Sequence, residues 1–340
     1  MKFEKLEALR GIAALYVVVY HLRIGFDTKL IYFTGHGQGA VMLFFVLSGF
    51  VIMYSSRSKP NYSFKEYFTK RFRRIYPVLI VAILVSYIFA CLNSGSLMPL
   101  DLSTLTGNLL NLQDMKRHPG YWFEPYYNNS PLWSLTYEWW FYMIFFPIFK
   151  FIEASYQKWL ALAISVIGFI TYFIYPNQIS LIMEYFIIWW WGVELAKIWL
   201  KHKDFKLSSF KFIFLSFGIM TILLLLQLYS YEGYLNTAIH PILEIKHFVY
   251  AFGLIVFGYV WRKTKYLGYK FTLKPFLYFA PISYGIYAFH FPIMIEYDFG
   301  FTSNITWLQI GGFLFTCILA HLIEVSLQKH INRMTQKWLN

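Results

Sequence analysis

The sequence predicts an all-α, polytopic integral membrane protein: a bundle of about ten transmembrane helices. Three observations lead there. Of 340 residues, 58% are hydrophobic and 22% aromatic, with a mean hydropathy of +0.47. Only 14% are charged, against about 25% in a soluble domain. The apolar residues also gather in long runs, near 9–26, 38–55, 76–93, 132–150, 159–175, 179–200, 211–230, 246–261, 276–297 and 305–326. A span needs roughly 20 residues. It must satisfy its own backbone hydrogen bonds, so each run is read as a helix, and none alternates as a barrel strand would. The eighth run is the weakest, because Glu244, Lys246 and His247 crowd its start.

A net charge of +13 would suggest nucleic acid in a soluble chain. Here the positive-inside rule accounts for it, and no nucleic-acid partner is expected. With the N-terminus inside and alternating spans, the inner segments hold 25 of the 30 Lys and Arg residues. The outer side keeps Arg23, Lys29, Lys116, Arg117 and Lys246. Both termini are therefore expected in the cytoplasm. The first run follows Glu4, Glu7 and Arg10 with no small-residue cleavage site after it, so it is read as a retained helix, not a signal peptide. Cys91 and Cys317 lie in apolar runs and receive no role; no disulfide or metal site is expected. Without repeats or low-complexity tracts, residues 1–340 are expected to form one membrane-embedded domain with no appended soluble domain. The outer loop over 94–131, with its "RHPGYWFEPYYNNSP", is expected to be structured but irregular.

The first run, "LEALRGIAALYVVVYHL" (6–22), holds Arg10 and His21 eleven residues apart. Eleven residues return a helix to within about 20° of its start and advance it about 16 Å. One stripe of this helix is polar at both ends. It must face protein or water, because charge facing lipid is costly. A histidine bonded within the bundle and an arginine snorkelling to headgroups explain the two residues separately.

Before the third run, "YFTKRFRRIYP" (67–77) carries Lys70, Arg71, Arg73 and Arg74. Anionic lipid would suit such a cluster. So would phosphate, which guanidinium forks grip bidentately, and Arg71 and Arg74 project together at a three-residue spacing. Pro77 suits the first turn of the span that follows. In "SPLWSLTYEWWFYMIFFP" (130–147), Glu138 is an intramembrane acid and so a candidate for function, or for a structural ion pair. His290 lies deep in the ninth run, within "PISYGIYAFHFPIM" (281–294). Counting helical rise places His21, Glu138 and His290 in one layer of the outer half. By contrast, "GHGQGAVMLFFVLSGF" (35–50) reads as a packing segment, with Ser48 bonded to its own backbone.

In order, "LRGIAALYVVVYH", "LFFVLSGF", "KRFRRIYP", "PLWSLTYEWWFY" and "SYGIYAFHFP" resemble acyltransferase family 3, the integral-membrane acyltransferases of bacterial surface glycans. The resemblance covers nearly the whole chain. Trp139 and Trp140 depart from it, standing where the family often has polar residues, and the hydrolase-like outer domain of some relatives is not expected here. The resemblance implies a protein of the bacterial inner membrane with no permanently bound cofactor. An acyl-CoA, usually acetyl-CoA, would enter from the cytoplasm as co-substrate, and the acyl group would pass to a glycan hydroxyl. The family's essential Arg and His map onto Arg10 and His21, and its arginine pair onto Arg71 and Arg74. His21 is then the expected general base, with Glu138 orienting it or holding its proton. Arg10, Arg71, Arg73, Arg74, His290 and Tyr284 form the expected substrate-binding set. The acceptor would be a surface glycan or lipid-linked sugar. An acyl-histidine intermediate is a variant of the same chemistry. Two other classes fit a polytopic chain: a glycan or small-anion transporter or flippase with a His/Glu proton relay, and a glycan polymerase or ligase.

Overall fold

The computed structural model describes residues 3–23, 29–58, 63–296 and 305–339. Lys2, Lys59, positions 24–26 of the first run and position 297 of the ninth lie outside the described residues. The chain is all-α, with one isolated bridge, Gln113 to Phe123, among the described residues. Each predicted run falls on a helix: α1 (Glu4–His21), α2 (Gly37–Arg57), α3 (Phe64–Ser94), α4 (Trp133–Phe151), α5 (Ala154–Ile174), α6 (Gln178–His202), α7 (Lys211–Ser230), α8 (Ile242–Lys263), α9 (Ser283–Phe291) and α10 (Ile305–His321). A further helix, α11 (Gln328–Leu339), follows.

Seven helices among the described residues are long and apolar enough to cross a membrane, namely α2, α3, α5, α6, α7, α8 and α10 with its continuation. The other three fall short for separate reasons. α1 carries Glu4, Lys5, Glu7 and Arg10. α4 mixes its apolar residues with Trp, Tyr, Ser and Glu138. α9 has nine residues before the chain widens into a π-turn over Pro292–Glu296.

The scaffold centres on α6, which is buried on nearly every face; Trp189, Trp190 and Trp191 are fully enclosed. Its most extensive partner is α2. The two backbones touch because each presents glycine to the other. A β-carbon on Gly49 would strike the Trp189 carbonyl, and one on Gly192 would strike the Val46 carbonyl. Lipid tails are as apolar as leucine, so such close packing, and not water exclusion, holds membrane helices together. Around this core, α5 and α7 expose Ile167, Ile170, Phe173, Leu225 and Leu226, as a lipid-facing surface would.

α3 corrects one expectation. Ser63 and Glu66 form a capping box: Ser63 Oγ accepts the Glu66 N–H at 3.2 Å, and Glu66 Oε2 accepts the Ser63 N–H at 2.9 Å. That cap starts the helix at Phe64, so Pro77 lies in its interior instead of its first turn. The basic cluster and the apolar span are therefore one continuous rod.

The outer loop is structured, as expected. Asp101 caps a short helix, Leu102–Leu109. Asn129 Nδ2 donates to Ser86 Oγ on α3 and to the Ala288 carbonyl on α9, both at 3.0 Å. Buried Asp114 accepts from Tyr137 Oη at 2.6 Å and from His118 Nδ1 at 2.9 Å. Burial works against a charged His118, yet the Asp114 charge and hydrogen bond prevail and hold the ring above its ordinary value of 6.5. A group whose folded value is raised stabilises fully below the unfolded value and less as pH rises through the folded one. Asp114→Ala is expected to cost about 3–5 kcal/mol, because it strands a buried partner. In thermal unfolding of detergent-solubilised protein, the loss should be largest below about pH 6.5 and shrink at higher pH. A deficit that does not vary with pH would assign Asp114 to Tyr137 alone.

Candidate active site

α1 packs between α2 and α9, so its polar stripe faces protein. Two cavities open along it. The one at the Arg10 end, called inner after the expected orientation, is about 240 Å³ and is lined by Arg10, Arg71, Arg74, Ser48, Glu138 and Tyr284, among others. The outer one, about 280 Å³, is lined by His21, Tyr20, Trp133 and Phe291, among others. Tyr287 lines both. Its hydroxyl donates to the Pro131 carbonyl at 2.8 Å and meets Ser134 Oγ at 2.8 Å.

His21 ends α1, and His290 sits in the last turn of α9 just before the π-turn. π-turns often mark functional sites. His21 Nδ1 lies 2.8 Å from His290 Nε2. The protons follow from the other contacts. His290 Nδ1 faces the carbonyls of Ile286 and Tyr287, at 3.0 and 2.9 Å. Carbonyls only accept, so that nitrogen carries the hydrogen and Nε2 is the acceptor. In the neutral pair His21 Nδ1 then donates, and His21 Nε2 is left with a bare lone pair. This is the arrangement a general base needs, with a second residue fixing the tautomer.

Glu138 is not part of it. Its Oε1 accepts from Ser48 Oγ at 3.0 Å and from the Tyr142 hydroxyl, inside the inner cavity. The expected single layer of His21, Glu138 and His290 therefore divides: His21 lines the outer cavity with the buried His290 bonded behind it, and Glu138 lines the inner one. Helical rise measures height only if the helix start is known. Nor does height say which neighbour a side chain meets: Glu138 is turned toward Ser48 and Tyr142. Ser48 likewise departs from expectation: its hydroxyl serves Glu138 and Tyr142, not only its own helix.

The basic cluster separates as well. Arg71 and Arg74 reach the inner cavity, where they join Arg10. Arg73 projects elsewhere and donates to Thr335 on α11. Arg10 pairs with Glu7 at 3.0 Å and donates to Ser283 Oγ at 3.3 Å. Arg74 pairs with Glu324 at 2.8 Å, whose other oxygen accepts the Gly285 N–H at 2.6 Å. Arg71 differs. It is 7% exposed, its Nε and Nη2 have no hydrogen-bond partner among the described residues, and the faces of Tyr67 and Tyr142 lie against it, at 5.1 and 5.6 Å. Several kcal/mol is at stake in a buried charge left so. An anion in the cavity would relieve it. Tyr284 lines the same cavity, with its hydroxyl on the Ile75 carbonyl at 3.3 Å and its ring 5.6 Å from Arg74.

Sequence reasoning missed Glu324, although an acid in "ILAHLIEVSL" obeys the same rule that singled out Glu138. It also missed Tyr142 and Tyr287, which no pattern distinguishes from the many other tyrosines. Trp139 and Trp140 are accommodated by packing. Trp139 stacks edge-on against Phe68 and Tyr76, and Trp140 Nε1 donates to the Asn111 carbonyl at 2.9 Å.

Residues 3–327 match the family described as "Acyltransferase domain". "Putative peptidoglycan O-acetyltransferase YrhL" of Bacillus subtilis (strain 168) is 24% identical over 373 aligned positions, covering 96% of this chain and 54% of that protein. "Acyltransferase MdmB" of Streptomyces mycarofaciens is 32% identical over 164 positions, covering 43% of this chain and 38% of that protein. The chain thus spans about half the length of the first and less of the second. No solved structure matches it. With a match running through every element that builds the two cavities, the chain belongs to acyltransferase family 3, the membrane-embedded acyltransferases.

Proposed function

We propose that this protein moves an acyl group, acetyl in the first instance, from acyl-CoA to a hydroxyl of a surface glycan or lipid-linked glycan precursor. It would do so in the bacterial inner membrane, with ten spans and both termini cytoplasmic. The observation that carries the reading is the His21–His290 hydrogen bond. It leaves a free basic nitrogen about 16 Å along one helix from a cavity of buried guanidiniums. CoA has its phosphates at one end and its thioester at the other, and the two cavities match that polarity.

In this mechanism Arg10, Arg71 and Arg74 hold the donor phosphates, and Arg71 gains the anion it lacks. The acceptor hydroxyl enters the outer cavity beside His21. His21 Nε2 takes its proton as the oxygen attacks the thioester carbonyl. The tetrahedral intermediate collapses, the C–S bond breaks, and the thiolate takes the proton back from the imidazolium. Ester and CoA thiol leave, and the histidine pair returns to its starting tautomers. His290 is a positioning residue: it accepts the His21 N–H and then stabilises the imidazolium. Glu138 belongs to the donor end, where it fixes Ser48 and Tyr142.

His21→Gln is expected to lower turnover about 10²–10⁴-fold while donor binding persists, read as free thiol released from acetyl-CoA by purified protein with an acceptor. Near-normal turnover would make His21 structural. His290→Leu should lower kcat and shift its pH profile without moving the KM for acetyl-CoA, and His290→Gln, which keeps an acceptor, should recover part of the rate. Equal losses in both variants would show that His290 serves packing.

Arg71→Met has a sign that separates function from stability. Replacing an unpaired buried charge by an apolar chain should stabilise the ligand-free protein by about 1–4 kcal/mol. The same change should abolish the thermal stabilisation that CoA confers. A less stable variant with an unaltered CoA shift would return Arg71 to a structural role.

A further inference from the structure

We propose that the outer cavity is a subsite for an anionic sugar, one bearing a carboxylate or phosphate close to the hydroxyl that is acylated. The proposal takes the identity of that hydroxyl from the acyl-transfer reading; the anion site itself stands on separate observations. Arg23 and Arg117 line the cavity that holds His21, and among the described residues no Asp or Glu does. On the proposed orientation the outer side keeps five basic residues of thirty, so each one there needs a reason. Lys116 has one, pairing with Glu124 at 2.9 Å, and Lys246 donates to the Thr237 carbonyl at 2.9 Å. Among the described residues, neither Arg23 nor Arg117 pairs with an acid. Both are exposed at the mouth while His21 lies deeper.

A third group points the same way. Gln38 lines this cavity, and its Oε1 is buried with no donor. A lone amide oxygen in a cavity calls for a hydroxyl or water to donate to it. Trp133 and Phe291 supply apolar walls for the C–H face of a ring. At about 280 Å³ the space is at the small end of ligand sites, sufficient for one sugar ring with the remaining glycan outside. Guanidinium forks accept carboxylate and phosphate alike, so these observations define the shared chemistry and not its source.

The test uses the full chain in nanodiscs and measures equilibrium binding with no donor present. The probes are methyl β-D-glucoside, methyl β-D-glucuronide and methyl β-D-glucoside 6-phosphate. Both anions are expected to bind about tenfold or more tightly than the neutral glycoside. The advantage should shrink as salt is raised. Arg117→Gln and Arg23→Gln should each remove several-fold of it and leave neutral binding unchanged. The tighter anion identifies the source, and either one supports the proposal. Equal binding of the three probes, or an anionic advantage that survives both substitutions, overturns it. Thiol release from acetyl-CoA is scored separately. An anion preference without thiol release keeps the subsite and rejects acyl transfer; thiol release without a preference does the reverse.

Discussion

In hydrocarbon, a guanidinium or imidazole on a helix must be met by protein. α1 carries one of each on a single stripe, and much of the architecture is the answer to that demand. Ser283 at the start of α9 meets Arg10. One helix length further, His290 near the end of α9 meets His21. The two helices are thereby registered at both ends. α3 and the segment after α10 close the inner end, through Arg74 and Glu324, whose second oxygen caps the Gly285 N–H of α9. Polar contacts at fixed heights set this register, while the tight α2–α6 contact supplies a rigid wall against which α1 rests.

How much of this was legible in the sequence depends on which quantity each signal encodes. Apolar run length encodes a helix, so all ten runs reappear as helices. Spacing along one helix encodes a shared face: Arg10 and His21 do lie on one stripe, and Arg71 and Arg74 do project together while Arg73 turns away. Lateral position is not encoded. Glu138 was placed in a layer by its depth, and it sits with the arginines because its side of α4 faces Ser48 on α2. Ser48 was read from its local glycine-rich context, yet its partner is 90 residues away. Pro77 was taken as a helix start because that is where proline is tolerated, whereas the capping box that begins at Ser63 holds the stronger signal.

Charge is distributed unevenly in the inner cavity. Arg10 and Arg74 each have an acid, in Glu7 and Glu324. Glu138 could have neutralised Arg71, but its hydrogen bonds go to Ser48 and Tyr142. Arg71 is left with aromatic faces, which lower the cost of burying a cation without occupying its N–H groups. A site organised for stability alone would have paired or removed that charge.

Between the two cavities, Tyr287 is the shared wall, pinned by Pro131 and Ser134. On the proposed reading, its position has a chemical consequence. A thioester is liable to water, and the outer cavity is the end where a hydroxyl nucleophile enters. A donor held by its phosphates among the arginines meets Tyr287 before it meets His21. On that reading the acyl carbon reaches the base past Tyr287, whose hydroxyl is held by two bonds within the wall. Ser134 of α4 and Pro131 in the turn just before it meet that hydroxyl, and Tyr287 stands on α9, so the helices involved are those that carry Glu138 and His290. The wall between the cavities is therefore built from the same two helices that place Glu138 on one side of it and His290 on the other.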